Sequence, residues 1–449
     1  MNTNTPNPKP SESGLGAKTF LVTSLVFLVL ASLMLAGRPN FLLTPVLTGH
    51  GLSWITLLLF GCGLSGIFGL VYMAFPKVFD IPLYSEKFVF LHYGFHLLGT
   101  LLALMTVLWP DFPRADMGAT FLACGALVFV VNLSLTFRKA ARPDLGRVCL
   151  SASMVWLLIM TFLGLPFTKE APLVSLQGTD WSAAWLVFSF AGVVINTLMG
   201  LTIRILPRAM GLAETKNPFV WYALIFCNAG VAWMFPAITF RSPGFLILCG
   251  AIYLIGAVLY LLGFLVALQR SQSLPWDGKI LLTSFSLIPV AACLLVFSAV
   301  KRLAPAVVPD PALAPDPALT EAAVVGPLPV EFLPVDGAVF LLSALAVMVP
   351  IVVALLFQYL RIERDVTLDS PTPKSRLSDL ILLASYFNYA TGVLLVVPGA
   401  WVGIERIVSL GTLFLLVGSF GFLGNYLFSS SRRQLPTPEV SHPLQTAPQ

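Results

Sequence analysis

Residues 51–75 read GLSWITLLLFGCGLSGIFGLVYMAF, twenty-five positions without one charged side chain. A helix of about 20 residues crosses the hydrocarbon of a bilayer at 1.5 Å of rise per residue, so this stretch is long enough to span. Lipid offers the backbone no hydrogen bonds, and a continuous helix satisfies its amides internally. The apolar/polar alternation of an outer-membrane strand is absent. Gly61, Ser65 and Gly69 recur at every fourth position, with Cys62 and Gly66 beside them. Small residues at that spacing let backbones approach closely, which predicts a central place for this helix in a bundle.

Working outward, the same reading gives eleven more spans. In the first half they lie near Thr19–Ala36, Phe88–Trp109, Met117–Phe137, Val148–Leu165 and Ser182–Leu206. In the second half they lie near Phe219–Ile238, Phe245–Leu268, Ile280–Val300, Ala338–Leu360, Leu380–Val397 and Ile407–Phe428. The whole chain agrees: 57% of the 449 residues are hydrophobic, 10% are charged, and mean hydropathy is +0.89. No soluble chain of this length has that composition. The expected fold is an all-α integral membrane protein of twelve transmembrane helices.

Basic residues set the orientation. With the N-terminus inside, 19 of the 26 Lys and Arg fall on the cytoplasmic side, among them the Arg138/Lys139/Arg142/Arg147 cluster. Only Arg38, Arg114, Lys169, Arg241, Lys301, Arg302 and Arg406 fall outside. Both termini are therefore expected in the cytoplasm. Topology also accounts for the net charge of +5, which carries no argument for a nucleic-acid partner. Residues 1–18 and 429–449 are polar and rich in Pro and Ser, and are expected to be disordered cytoplasmic ends, with His442 in the tail. Residues 301–336, Pro/Ala-rich and self-repeating, are expected to form an external loop. Thr19 onward reads as a retained span and not as a cleaved signal.

Few side chains in these spans carry chemistry. The six cysteines, Cys62, Cys124, Cys149, Cys227, Cys249 and Cys293, show no CxxC spacing and read as small buried apolar residues. Three of the four histidines gather near one another: His50 at the outer mouth of the second helix, and His92 and His96 on the third. An imidazole in hydrocarbon needs a metal, a cofactor or a hydrogen-bond partner. His92 and His96 are four apart, hence on one helix face about 6 Å from each other, the spacing of a helical ligand pair or of two groups bonding a neighbouring helix. His50 either ligates a cofactor or caps its helix. Arg204, one turn before Pro207, either snorkels to the cytoplasmic interface or contacts an anionic group such as a haem propionate. Asn132, Asn196, Asn228, Asn388 and Asn425 read as interhelical packing contacts.

A repeat links parts of the chain. Gly69, Pro76-Lys77 and Gly99 recur 131 residues later as Gly200, Pro207-Arg208 and Gly230. Each copy describes a helix reaching the cytoplasmic face, a proline-basic exit and a returning helix, as a diverged duplication of helix pairs would.

Thr48-Gly49-His50-Gly51-Leu52, a helix, Phe75-Pro76, Ile81-Pro82-Leu83 and an aromatic returning helix together resemble the second and third helices of the haem-copper oxidase large subunit, the superfamily of cytochrome c oxidase subunit I and nitric oxide reductase. The resemblance implies a twelve-helix core of repeated helix groups with both ends inside. It also implies a place in a bacterial cytoplasmic (inner) membrane, beside other respiratory-complex subunits or a cytochrome, in electron transport. His50 would be the position that ligates a low-spin haem iron, with His92, His96 and Arg204 as secondary cofactor contacts.

That family also uses a histidine on the sixth helix, an adjacent pair near the seventh and two on the tenth. Here no histidine occurs between Leu97 and Ser441, and Asn196, Arg204, Asn228, Tyr253, Tyr260, Gln358 and Tyr359 stand on the corresponding helices. Such groups are poor ligands for copper or haem iron. The expectation is a degenerate member without an oxygen-reducing centre and without copper, divergent or accessory in role. The alternative is a twelve-helix secondary transporter. It lacks support from the first cytoplasmic loop, which has no Gly-x-x-x-Asp-Arg pattern, and acids near the spans are confined to edges, as at Glu86, Asp379 and Glu405.

Overall fold

The computed structural model describes residues 14–39, 54–109, 115–139, 144–164, 188–209, 218–240, 242–268, 276–303, 342–365 and 373–431. Among them every regular element is helical. In chain order these are α1 (Leu15–Gly37), α2 (Trp54–Lys77), α3 (Glu86–Leu108), α4 (Ala115–Phe137), α5 (Leu145–Gly164) and α6 (Phe188–Ile195 continuing as Asn196–Ala209). Then follow α7 (Pro218–Thr239), α8 (Pro243–Leu268), α9 (Trp276–Leu303), α10 (Leu342–Met348 continuing as Val349–Asp365), α11 (Pro373–Val402) and α12 (Glu405–Ser431). Each expected span has a helix. Nine of the described helices are long and apolar enough to cross a membrane, and α5, α9 and α10 contribute shorter apolar stretches. Helix boundaries run past the expected ones in places. α1 starts at Leu15, α9 takes in Lys301 to Leu303, and α12 reaches Ser431, because a helix need not stop where hydrocarbon stops. The rest of the 301–336 loop, the outer chain ends and His50 lie outside the described residues.

Three helices are inside and nine outside. In α2 the whole apolar window is buried, in α6 83% of it, and in α10 every residue from Leu345 to Leu360. In α3, α7, α8, α11 and α12 the buried share is below 40%. The central place expected for the second helix from its small residues is thus observed. Gly69 shows how: a Cβ there would lie 3.0 Å from Ala17 O and 2.8 Å from Leu21, so only glycine lets α1 this close. Gly200 on α6 meets α5 the same way, with Gly146 O 2.8 Å from where its Cβ would be.

The packing repeats every four helices. α1, α5 and α9 lie on α2, α6 and α10; α3, α7 and α11 form hairpins with α4, α8 and α12. α4 meets α5, α8 meets α9, and α12 returns to α1, closing an outer ring around the three inner helices, which also touch one another. The outer ring turns large apolar side chains outward, including Phe90, Val155, Ile225, Phe387, Leu394 and Val417. That is the surface a lipid environment selects.

Each inner helix opens with a π-helical stretch: Leu57–Leu64, Phe188–Ile195 and Leu342–Met348. The first two are 131 positions apart, the offset of the sequence repeat. Aligning the ends of all three stretches sets Lys77 and Arg208 against Arg361, a third basic residue, so the repeat extends to α10.

The α2–α3 connection is tightly held. Asp80 takes the left-handed backbone (φ 54°), which turns the chain back, while Val78, Phe79 and Ile81 are buried. Ser85 then starts α3 as an extended N-cap that accepts from Phe88 N, with Glu86 in the first turn where the helix dipole favours an acid.

Candidate functional site

A π turn widens the helix and redirects carbonyls away from the usual pattern, leaving them to be satisfied by neighbours. In α2 two such carbonyls are met from the flanking helices. Ser24 of α1 donates to Cys62 O at 2.7 Å. Phe60 O accepts from the Ser65 hydroxyl at 3.1 Å and lies 3.0 Å from His96 Nε2 of α3, which is itself 3.0 Å from Ser65 Oγ.

His92 and His96 share one face of α3, as the spacing requires, with ring centroids 5.9 Å apart, and both are buried. Tyr72 of α2 holds His92 Nδ1 at 2.9 Å. Around His92 stand Phe20 of α1, Phe68 of α2 and Phe129 of α4, at centroid distances of 4.9, 4.5 and 5.3 Å. Its Nε2 is enclosed and makes no hydrogen bond among the described residues. Asn132 of α4 ties that helix to the start of α3: it accepts from Ser85 N at 3.1 Å and donates to Ser85 O at 3.1 Å.

The second four-helix group contains the same construction in other residues. Ser153 of α5 donates to Val193 O at 3.0 Å; Val193 corresponds to Cys62 by the 131 offset. Asn196, at the position of Ser65, exchanges two hydrogen bonds of 3.0 and 3.1 Å with Asn228 of α7 and donates to Gly192 O at 2.7 Å. Trp156 of α5 donates to Asn228 Oδ1 at 2.6 Å.

Arg204 lies apart from the histidines, near the C-terminal end of α6. Its guanidinium binds Asp144 at 2.7 Å and sits over the Phe79 ring, 5.5 Å from the centroid. Asp144 also takes Arg147. Burial raises the Asp144 carboxyl, but the hydrogen bonds from Arg204 and Arg147 outweigh it and hold the group below its ordinary value. Beside this cluster Arg208 binds Asp80 at 2.6 Å and donates to Lys77 O, and Lys77 lies over the Tyr359 ring of α10, 5.6 Å from its centroid. The repeat partners Lys77 and Arg208 therefore meet.

Of the residues singled out in the sequence, His92 and His96 come together, and Arg204 stands separately with an acid from the chain as partner. His50 is outside the described residues, and among those no group of three or more His, Cys, Asp and Glu could hold a metal ion. As arranged, the α3 pair does not fit a haem or metal. His92 Nδ1 and His96 Nε2 already serve Tyr72, Ser65 and Phe60 O, and His92 Nε2 is enclosed on a ring packed among aromatic side chains. Sequence reading missed Tyr72, Ser24, Ser153 and Asp144. Only Asp144 had a signal, as a lone acid within the Arg138–Arg147 basic cluster. No protein-family model matches the chain, and no curated protein sequence matches it.

Proposed function

We propose that the chain is a twelve-span membrane protein, both termini cytoplasmic, of haem-copper oxidase large-subunit descent, in a bacterial cytoplasmic membrane. It binds one haem through His50 and acts as a divergent or accessory respiratory subunit without an oxygen-reducing centre of its own. The observation that carries this reading is which helices are inside: the second, the sixth and the tenth, three of the helices on which the resembled family keeps its metal ligands. The four-by-three organisation of the bundle supports it over the secondary transporter, whose architecture repeats six helices twice.

Bound haem would supply one-electron chemistry, and His50 is the residue that would hold it. The chain's own part is to exclude water from the inner triad and to neutralise the cytoplasmic end through Arg204, Arg208 and their acids. In place of the family's histidines on α6 and α10 it carries Asn196, Gln358 and Tyr359, so no second metal is held there. The test is a reduced-minus-oxidised absorption spectrum of the purified chain. A Soret band that disappears in His50→Ala is expected. A spectrum without haem in the wild type, or one unchanged in His50→Ala, defeats the proposal.

A further inference from the structure

We infer that His92 and His96 form a tautomer-locked clasp, each imidazole held neutral with its proton on Nε2, that positions the π turn of α2 and does not ligate metal or haem. This goes beyond the haem reading and does not depend on it.

The direction of the His96 bond follows from a group whose role is fixed. A carbonyl oxygen can only accept, so the 3.0 Å approach of His96 Nε2 to Phe60 O requires a proton on that nitrogen. The reverse tautomer would set two lone pairs against each other. Ser65 then donates its own hydrogen to Phe60 O and shares the Nε2 proton through its lone pair.

For His92 the direction follows from what each alternative leaves unpaired. With its proton on Nδ1 the ring would donate to the Tyr72 oxygen, leave the Tyr72 hydrogen without an acceptor among the described residues, and bury a bare lone pair on Nε2, which has no hydrogen-bond partner there. With the proton on Nε2 the Tyr72 hydroxyl donates to His92 Nδ1. His92 must then carry its proton on Nε2. That proton has a place to go: the Phe68 ring stands T-shaped to the imidazole, 68° between planes at 4.5 Å, the arrangement of an N–H···π contact. The one buried nitrogen of the pair without a conventional partner is thus explained without a ligand.

The clasp joins α3 to α2 at two levels, at Tyr72 through His92 and, through His96, at the carbonyl that the π turn of α2 sets free. These are positioning residues for α2, the helix that follows His50 in the chain.

The experiment is solid-state NMR of the full chain with ¹⁵N-histidine in lipid bilayers at neutral pH, with Zn²⁺ and haemin added separately as probes. Expected are protonated Nε2 and unprotonated Nδ1 for both buried histidines, unmoved by either probe. Tyr72→Phe, which removes only a hydroxyl, should shift the His92 signals and leave those of His96 in place. A protonated Nδ1 on either residue, a Zn²⁺- or haemin-induced shift of their nitrogens, or His92 signals indifferent to Tyr72→Phe would each overturn the inference. Loss of the Soret band in His50→Ala bears on the haem reading alone.

Discussion

The first and second four-helix groups face one structural problem and solve it with different chemistry. Both inner helices, α2 and α6, begin with a π stretch, and both have a serine from the preceding helix on the equivalent carbonyl, Ser24 on Cys62 O and Ser153 on Val193 O. The polar link to the following hairpin then diverges. α2 uses Ser65 with His96, whereas α6 uses the reciprocal carboxamides of Asn196 and Asn228. A carboxamide pair cannot serve haem iron as an imidazole does, yet it fills the same structural place. The histidines of α3 are therefore accounted for by hydrogen bonding before any cofactor is invoked.

The largest expected effect tests whether the two groups share their close inner packing. Gly200→Val would drive a Cβ to within 2.8 Å of Gly146 O, a backbone atom that cannot step aside, and Gly69→Val would do likewise against Ala17 O. Both should destabilise by about 3 kcal/mol or more, since overpacking is not relieved by rotamer change. Thermal unfolding in bicelles that left either variant at wild-type stability would separate the groups.

Next come the clasps. His96→Leu leaves Phe60 O without its α3 donor and should lower stability by about 1–3 kcal/mol, with Asn228→Leu in the same range. His96→Asn, which imports the chemistry of the second group, should recover part of the loss. A His96→Asn variant no more stable than His96→Leu would mean that the correspondence is geometric only.

The smallest effect lies at the Asp144 cluster, where the partners are partly solvated. Asp144→Asn should destabilise by about 1 kcal/mol at neutral pH. Because the folded carboxyl titrates below its unfolded value, its contribution is complete above the ordinary Asp range and is lost as pH falls through the lower folded value. The difference between Asp144→Asn and wild type should accordingly vanish in strong acid. A gap that persists there would assign the effect to packing and not to charge.

Much of the architecture is legible in residue order, because burial in lipid imposes a demand that each segment meets alone. A run of apolar residues must form a helix to satisfy its own amides, so all twelve helices can be placed, and the i, i+4 spacing of His92 and His96 fixes their shared face. The small-residue series Gly61, Ser65, Gly69 likewise announces close packing around α2. The repeat was visible where glycine and proline were retained, at Gly69/Gly200 and Pro76/Pro207. In α10, Val353 and Leu360 stand at those positions, and only the π stretch and the buried surface reveal the third copy.

What the tertiary structure alone decided is the partner of each buried polar group. Nothing local to Tyr72 points to His92, nor anything near Arg204 to Asp144, sixty residues away in the chain. A hydrogen bond between helices depends on rotation and depth of both, and these are set by the sum of packing contacts around a closed ring. The sequence by itself determined that the chain lives in a membrane, as helices, with few groups able to do chemistry. Which three helices are enclosed, and that the α3 histidines bond protein atoms, followed only from how the helices pack.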